Sequence, residues 1–199
     1  MALIEKPLPG HGNMKFKVTE APEIEPITAD EVKDYCSIDT DAQDTLIDSL
    51  ITAVRQAAEP WLGRALIEQT ITAYLDHWPD NPVRLPRPPL VSISSIVTLS
   101  EEDAATTYDS DNYYYNANVE PGQVVVKAGC SPPINTDRYY SGYRIIYLAG
   151  YGEEATDVPQ IIRTGLLEWV QFALENKVVD RDPPQIARAL LGAYRIHPV

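Results

Sequence analysis

The sequence predicts an α+β fold: a small helical bundle drawn from both chain ends, with a mainly antiparallel β-sheet region inserted between them. Three observations predict it. Apolar residues recur at three- and four-residue steps near both ends of the chain. Between them, from about residue 64 to residue 150, the period drops to two and β-branched residues accumulate. The 199 residues are 44% hydrophobic, and a chain of this length buries roughly 70% of its unfolded surface, enough for a real core.

Taken in order, residues 1–26 read as an extended or disordered N-terminal arm. Pro7, Pro9, Pro22 and Pro26 break any helix there, and Gly10 and Gly12 loosen it. A short strand around Phe16 and Val18 fits the pattern, and residues 1–13 are expected to be dispensable for folding. Thr28-Ala-Asp-Glu31 has the form of a capping box, so a short helix carrying Val32, Tyr35 and Cys36 is expected to start there. A longer helix follows from about Asp41 to Leu62. Leu46, Ile47, Leu50, Ile51, Val54, Ala57, Ala58, Trp61 and Leu62 form its stripe, Gly63 is a fitting stop, and Pro60 bends or tightens the last turn.

The insertion spans 64–150. Ile67, Gln69, Ile71, Ala73 and Leu75 alternate with polar neighbours. Further strands are expected over Val83–Leu85, Val91–Leu99, Tyr113–Tyr115, Gln123–Lys127 and Tyr143–Leu148, giving one sheet of about five or six strands. Residues 100–112 read as an acidic loop. Helical spacing returns over 157–199: Ile162, Leu166, Trp169, Val170, Ala173 and Leu174 form one stripe. Asp182-Pro183-Pro184 ends that unit, and a last short helix carries Ile186, Ala187, Leu190 and Leu191. Residues 27–62 and 157–199 are thus expected to make one helical core that ends in a C-terminal segment. Trp61 and Trp169 are expected to help fill it.

Charge narrows the function classes. The formal net charge is −13, from 29 acids against 16 bases. A DNA-coating protein needs a basic face to displace counterions, so this class is disfavoured. From Glu20 to Asp48 there are ten acids and one base, Lys33, and from Ser100 to Glu120 six acids and no base. The last 17 residues, from Pro183, carry Arg188 and Arg195 and no acid. No run approaches the ~20 apolar residues of a spanning helix, so no membrane partner is expected. The N-terminus has no apolar signal core, which favours a cytosolic origin.

Catalytic and metal chemistry is not legible. His11, His77 and His197 fall in separate segments, and no phosphate loop, nucleophile elbow or zinc motif is present. No catalytic, cofactor-binding or metal residue is therefore assigned. Asp39, Asp41 and Asp44 resemble the start of a calcium loop, but Asp44 stands where the loop glycine belongs and Leu50 where its glutamate belongs. Helix capping accounts for these acids better. A hydrolase pair such as Asp76 with Glu101 has no fixed separation in sequence. Cys36 and Cys130 form no motif and read as reduced, buried thiols. Nine of the twelve tyrosines lie between Tyr108 and Tyr151. Tyrosine is common in sheets and at interfaces, so a tail-associated carbohydrate- or surface-binding module is a rival reading.

The order of several short segments carries a resemblance. These are Ile27-Thr-Ala-Asp-Glu-Val-Lys33, Ile38-Asp-Thr-Asp41, Glu59-Pro-Trp-Leu-Gly-Arg-Ala-Leu66 and Asp76-His-Trp-Pro79. Leu85-Pro-Arg-Pro-Pro-Leu90, Tyr147-Leu-Ala-Gly-Tyr-Gly152, Val158-Pro-Gln-Ile161, Glu175-Asn-Lys177 and Leu190-Leu-Gly-Ala-Tyr-Arg195 follow. In this order the chain resembles the phage head–tail connector (adaptor) family, in the subgroup with a β-rich insertion. Pro60, Lys177 and the longer N-terminal arm are departures. The resemblance implies a non-enzymatic virion structural protein of a tailed phage, prophage or gene transfer agent, assembled in the host bacterial cytoplasm and located at the virion neck. It implies a ring, usually twelve-fold, between the portal protein and a tail-completion or stopper protein, with DNA passing through the hole without specific binding. Together with the apolar face and basic bias of the C-terminal segment, it points to portal docking through Ile186, Leu190, Leu191, Tyr194, Arg195 and Ile196.

Overall fold

The fold is described from a computed structural model, over residues 14–134 and 138–196. The chain forms two compact units. Among the described residues, one comprises 14–21 and 68–150, and the other 22–67 and 151–196.

The second unit is helical. Its elements are α1 (Ala29–Cys36), α2 (Asp44–Leu62), α3 (Gln160–Asn176) and α4 (Gln185–Leu191). Thr28 caps α1 as the sequence predicts: its hydroxyl accepts from the Glu31 amide at 3.2 Å, and Glu31 Oε2 accepts from the Thr28 amide at 2.9 Å. The same carboxylate takes an ion pair from Arg163 of α3, whose Nε also donates to the Pro26 carbonyl at 3.0 Å. One glutamate therefore starts a helix and ties it to another.

Residues Asp41–Gln43 form a tight 3-10 turn before α2, with the Thr40 hydroxyl accepting from the Ala42 amide. Buried Ile47, Ile51, Val54, Ala58 and Leu62 recur along one face of α2. They meet Ile162, Leu166, Trp169 and Val170 of α3 in a single cluster. Leu46 does not join them; it is exposed. Pro60 removes the donor that the Gln56 carbonyl would use, at an exposed position of the last turns, and α2 continues to Leu62. Gly63 then stops it in the left-handed conformation at φ 72°.

The first unit is built of antiparallel strands: β1 (Lys15–Glu20), β2 (Gln69–Leu75), β3 (Val83–Arg84), β4 (Leu90–Leu99), β5 (Ala105–Tyr108), β6 (Tyr113–Asn116), β7 (Gln123–Val126) and β8 (Tyr143–Ala149). They form two sheets rather than the single one expected. A five-stranded sheet has the order β1-β2-β8-β4-β5, and a three-stranded sheet the order β3-β7-β6. The short strand expected around Phe16 and Val18 is present: Lys15–Glu20 is an edge strand paired along β2. One detail differs further from the sequence expectation. The acidic loop contains β5, which pairs with β4 from Ile96 to Leu99. A period-two pattern identifies a strand but not its neighbour, so the division into sheets is not written in it. Residues 1–13, expected to be dispensable, lie outside the described residues.

Alternation does what the sequence implies in the central strands. Tyr143, Ile145, Tyr147 and Ala149 of β8 are buried, as are Gln69, Ile71, Ala73 and Leu75 of β2. Gly122 sits where a Cβ would come within 2.4 Å of Leu90 Cβ, so only glycine allows that approach. The Tyr147 hydroxyl, buried with its ring, donates to the Pro86 carbonyl at 2.7 Å, and the Gly150 amide donates to the Pro89 carbonyl.

Candidate docking surface

The segment assigned to docking is held more tightly than its two prolines suggest. Helix α4 lies against α3, and Gly165 permits the approach, because a Cβ there would come within 2.8 Å of two Leu191 side-chain atoms. Leu191 is 0% exposed and Ala187 equally buried, so both belong to the helical core. After α4 the chain makes a 3-10 turn, Gly192–Tyr194, and runs back along the end of α2. Arg64 Nε donates to the Tyr194 carbonyl at 2.5 Å, and the Ile196 amide donates to the Leu62 carbonyl at 2.8 Å. The Arg195 guanidinium sits 4.5 Å from the centroid of the Trp61 ring.

The structure therefore divides the six residues. Leu191 is wholly internal. Tyr194, Ile196 and Leu190 are half-buried, and Ile186 is 61% exposed. The accessible set is Ile186 and Arg195, with the outer edges of Leu190, Tyr194 and Ile196. The apolar periodicity of α4 did not show that its two sides differ; the small residue at 165, on another helix, decides which side is covered. Beside the start of α4 lies an open depression of about 800 Å³, with Asp180, Asp182, Arg181 and Arg188 on its walls. It is mixed in charge and encloses no dedicated small-molecule site.

Other residues singled out in the sequence receive structural roles. Lys33 Nζ lies 2.9 Å from Asp41, 3.2 Å from Asp44 and 3.2 Å from Asp30. The hydrogen bonds to Asp41 and then Asp44 push the lysine pKa above its ordinary value. Two of the three calcium-like aspartates thus hold a lysine cation. Among the described residues no group of histidine, cysteine or acidic side chains could hold a metal ion. Asp76, considered as a hydrolase carboxylate, accepts from the Ser141 amide at 2.8 Å. Arg55, buried in α2, is bound by Glu25 at 2.6 Å and lies 3.6 Å from buried Glu59. Glu59 in turn accepts from the Leu66 amide. Cys36 and Cys130 are free and half-buried rather than fully buried. Burial first, and the Glu175 charge second, push the Cys36 thiol pKa up.

The tyrosines separate into two groups. Tyr113, Tyr143 and Tyr147 fill the sheet unit's interior, whereas Tyr114, Tyr115, Tyr139 and Tyr140 are exposed. No helix among the described residues is long and apolar enough to cross a membrane.

Comparison with known proteins now adds to this geometry. No curated protein sequence matches the chain. Solved structures share the fold at low identity. The first, described as a virion of a native gene transfer agent (GTA) particle, matches with TM-score 0.79 and 17% identity, over 92% of this chain and 96% of that one. The neck of an empty GTA particle computed with C6 symmetry matches with TM-score 0.78 and 18% identity, over 92% and 96%. The neck of a native GTA particle computed with C12 symmetry gives TM-score 0.72 and 16% identity, over 100% and 97%. A family model described as head completion protein matches residues 25–180, which takes in every helix except α4 and nearly all of the sheet unit. On that match over most of its length, the chain belongs to the head completion protein family.

Proposed function

We propose that this chain is a head–tail connector (adaptor) of a phage-type particle, placed in the virion neck as a ring between the portal protein and a tail-completion or stopper protein. The observation that carries the reading is the family match over residues 25–180. The similarity in fold to chains of GTA particles, two of them described as necks with C6 and C12 symmetry, supports a twelve-fold ring. Assembly takes place in the host cytoplasm. The net charge of −13 suits a channel component, because an anionic lining gives DNA phosphates no ionic handholds and lets the genome slide.

Portal docking is assigned to the accessible part of the C-terminal segment. Ile186 is the apolar anchor and Arg195 the charged one, flanked by Leu190, Tyr194 and Ile196. Leu191 acts from inside by fixing α4. Isoleucine standing exposed on a seven-residue helix gains nothing in the free chain, and a partner's apolar surface would cover it. Arginine beside an aromatic ring is a common interface anchor.

The test is the mass of the protein alone and mixed with portal rings. Wild-type protein is expected to load onto the portal in multiple copies. Ile186→Asp with Arg195→Glu is expected to weaken loading by on the order of tenfold or more while the melting temperature stays near wild type. Unchanged loading by the variant would remove the docking assignment. No loading by wild type would remove the connector reading. Binding of a glycan array by the isolated monomer through Tyr139 and Tyr140 would favour the carbohydrate-binding alternative instead.

A further inference from the structure

Among the described residues, the five-stranded sheet ends in two strands, each paired along one edge only, and the two ends differ in charge. At one end lies β1. Lys15 and Lys17 alternate with Phe16 and Val18 along it, so both lysines share one face. The guanidinium of Arg87 sits 5.4 Å from the Phe16 ring centroid. At the other end lies β5, whose residues Ala105, Thr106 and Thr107 are all exposed. It is bracketed by Glu101, Glu102 and Asp103 before it, and by Asp109 and Asp111 after it, all exposed. Of these five acids, Asp103 pairs with Arg138, and the Lys127 ammonium donates to the Asp111 carbonyl, so Glu101, Glu102 and Asp109 carry most of the negative charge there.

An exposed edge of this kind is a template for another strand. Neither β1 nor β5 contains proline. Successive neighbours in the order β1-β2-β8-β4-β5 are all antiparallel, so β1 and β5 run in the same direction at opposite ends of one sheet. Two different, complementary edges on one molecule make a heterologous contact, the kind that closes into a ring when repeated by rotation.

We propose that β5 of one copy of this chain lies alongside β1 of the next, in parallel, joining the five-stranded sheets of neighbouring copies around the ring, with Lys15 and Lys17 facing the acids that flank β5. The inference rests on the connector reading for its ring, but names the joint between copies, which that reading leaves open. The contact would carry main-chain hydrogen bonds for affinity and charge for direction. Opposite charges favour β5 against β1, whereas β5 against β5 would bring like charges together.

Two experiments test it. The first uses charge exchange. Lys15→Glu with Lys17→Glu, and separately Glu101→Lys with Glu102→Lys, should each reduce the number of copies loaded on portal rings by on the order of tenfold. The chain carrying all four substitutions has the two edges exchanged and should regain loading. Lys17, Glu101 and Glu102 are exposed and Lys15 is half-buried, so melting temperatures should stay close to wild type. The second uses a Cys36→Ser, Cys130→Ser background. Lys17→Cys and Thr107→Cys chains are mixed, concentrated, and treated with a short bis-maleimide. Heterodimer should form only in the mixture, and neither chain alone should cross-link. Loss of loading in every charge variant without rescue, or equal cross-linking of each chain with itself, would overturn the joint. If wild-type protein does not load onto the portal at all, the connector reading fails, and the cross-linking of the protein alone still decides whether the two edges meet.

Discussion

Trp169 and Gly165 show how two residues on one helix fix two different things. Trp169 is the largest side chain of the helical core at 0% exposure. Its removal leaves a cavity that close-packed neighbours only partly fill, so Trp169→Ala should cost about 3–5 kcal/mol. Gly165 fills no space, but it lets Leu191 approach. Gly165→Leu should therefore overpack the contact, cost roughly 1–3 kcal/mol, and loosen α4 first. Chemical denaturation with hydrogen exchange on α4 separates the two: a global loss for the tryptophan, and early exchange in α4 for the glycine. Normal protection of α4 in Gly165→Leu would show that the glycine does not gate the contact. Tyr35 offers a test in pH. Its hydroxyl donates to Glu168, and this bond, more than burial, raises the tyrosine pKa to about 12. A raised pKa stabilises the fold fully below the ordinary tyrosine value of about 10, and that contribution is lost as pH rises through about 12. Tyr108, Tyr113 and Tyr147 are raised too, so the comparison that isolates Tyr35 is wild type against Tyr35→Phe. Their stability difference should shrink between pH values of about 10 and 12; a difference flat across that window would argue that Glu168 does not hold the phenol.

At the scale of elements, α4 and the tail after it are the clearest case of a short helix stabilised by its surroundings. Seven residues cannot hold a helix alone in water. Ala187 and Leu191 sit in the helical core, and the Ile196 amide reaches the Leu62 carbonyl at the end of α2. Truncation after Asp182 should consequently lower the stability of the helical unit by several kcal/mol, because it opens the α3 face and frees a helix-end carbonyl. The melting temperature and the near-ultraviolet signal of Trp169 would report it. A truncated chain as stable as the whole would mean that α4 merely rests on the core. Sequence spacing showed that Ile186, Leu190 and Leu191 cluster on one helix. It did not show that Leu191 faces inward while Ile186 faces out, because a two-turn helix has too few residues to define a stripe. The strand β5 went unseen for a related reason. Three exposed residues, Ala105–Thr107, followed by half-buried Tyr108 and paired among the described residues with β4 alone, leave no alternating burial to read.

For the whole molecule the dominant quantity is charge. With 29 acids against 16 bases, the folded chain repels itself, and salt should relieve that repulsion. Its melting temperature is expected to rise with added sodium chloride, the opposite of what a protein held by surface ion pairs would do. The same imbalance predicts no electrophoretic shift of double-stranded DNA at physiological salt, because few phosphates can be neutralised. A shift that weakens steeply with salt would reveal a basic track that the overall balance conceals, and would count against passive passage of DNA. Local pairing does not alter the imbalance: Lys33 is surrounded by three aspartates, and Arg55 lies between two glutamates.

The sequence by itself determined the α+β class, the capped start of α1, the glycine stop of α2 and the family. Those features are local. Thr28 and Glu31 sit three residues apart, Gly63 supplies one positive φ, and the alternation in β2 and β8 spans a few residues each. The resemblance likewise rested on segments whose order is linear. Tertiary structure decided what depends on distant partners. It divided the strands into two sheets and paired Lys15–Glu20 of the arm with β2. It brought the proline connector and the Tyr147-Leu-Ala-Gly segment into one hydrogen-bonded contact, through Pro86 and Pro89. It also turned two of the calcium-like aspartates onto Lys33 and placed Gly165 under Leu191. Each of these is a meeting of residues far apart in the chain, and periodicity reports which face of an element is apolar without naming the surface that covers it.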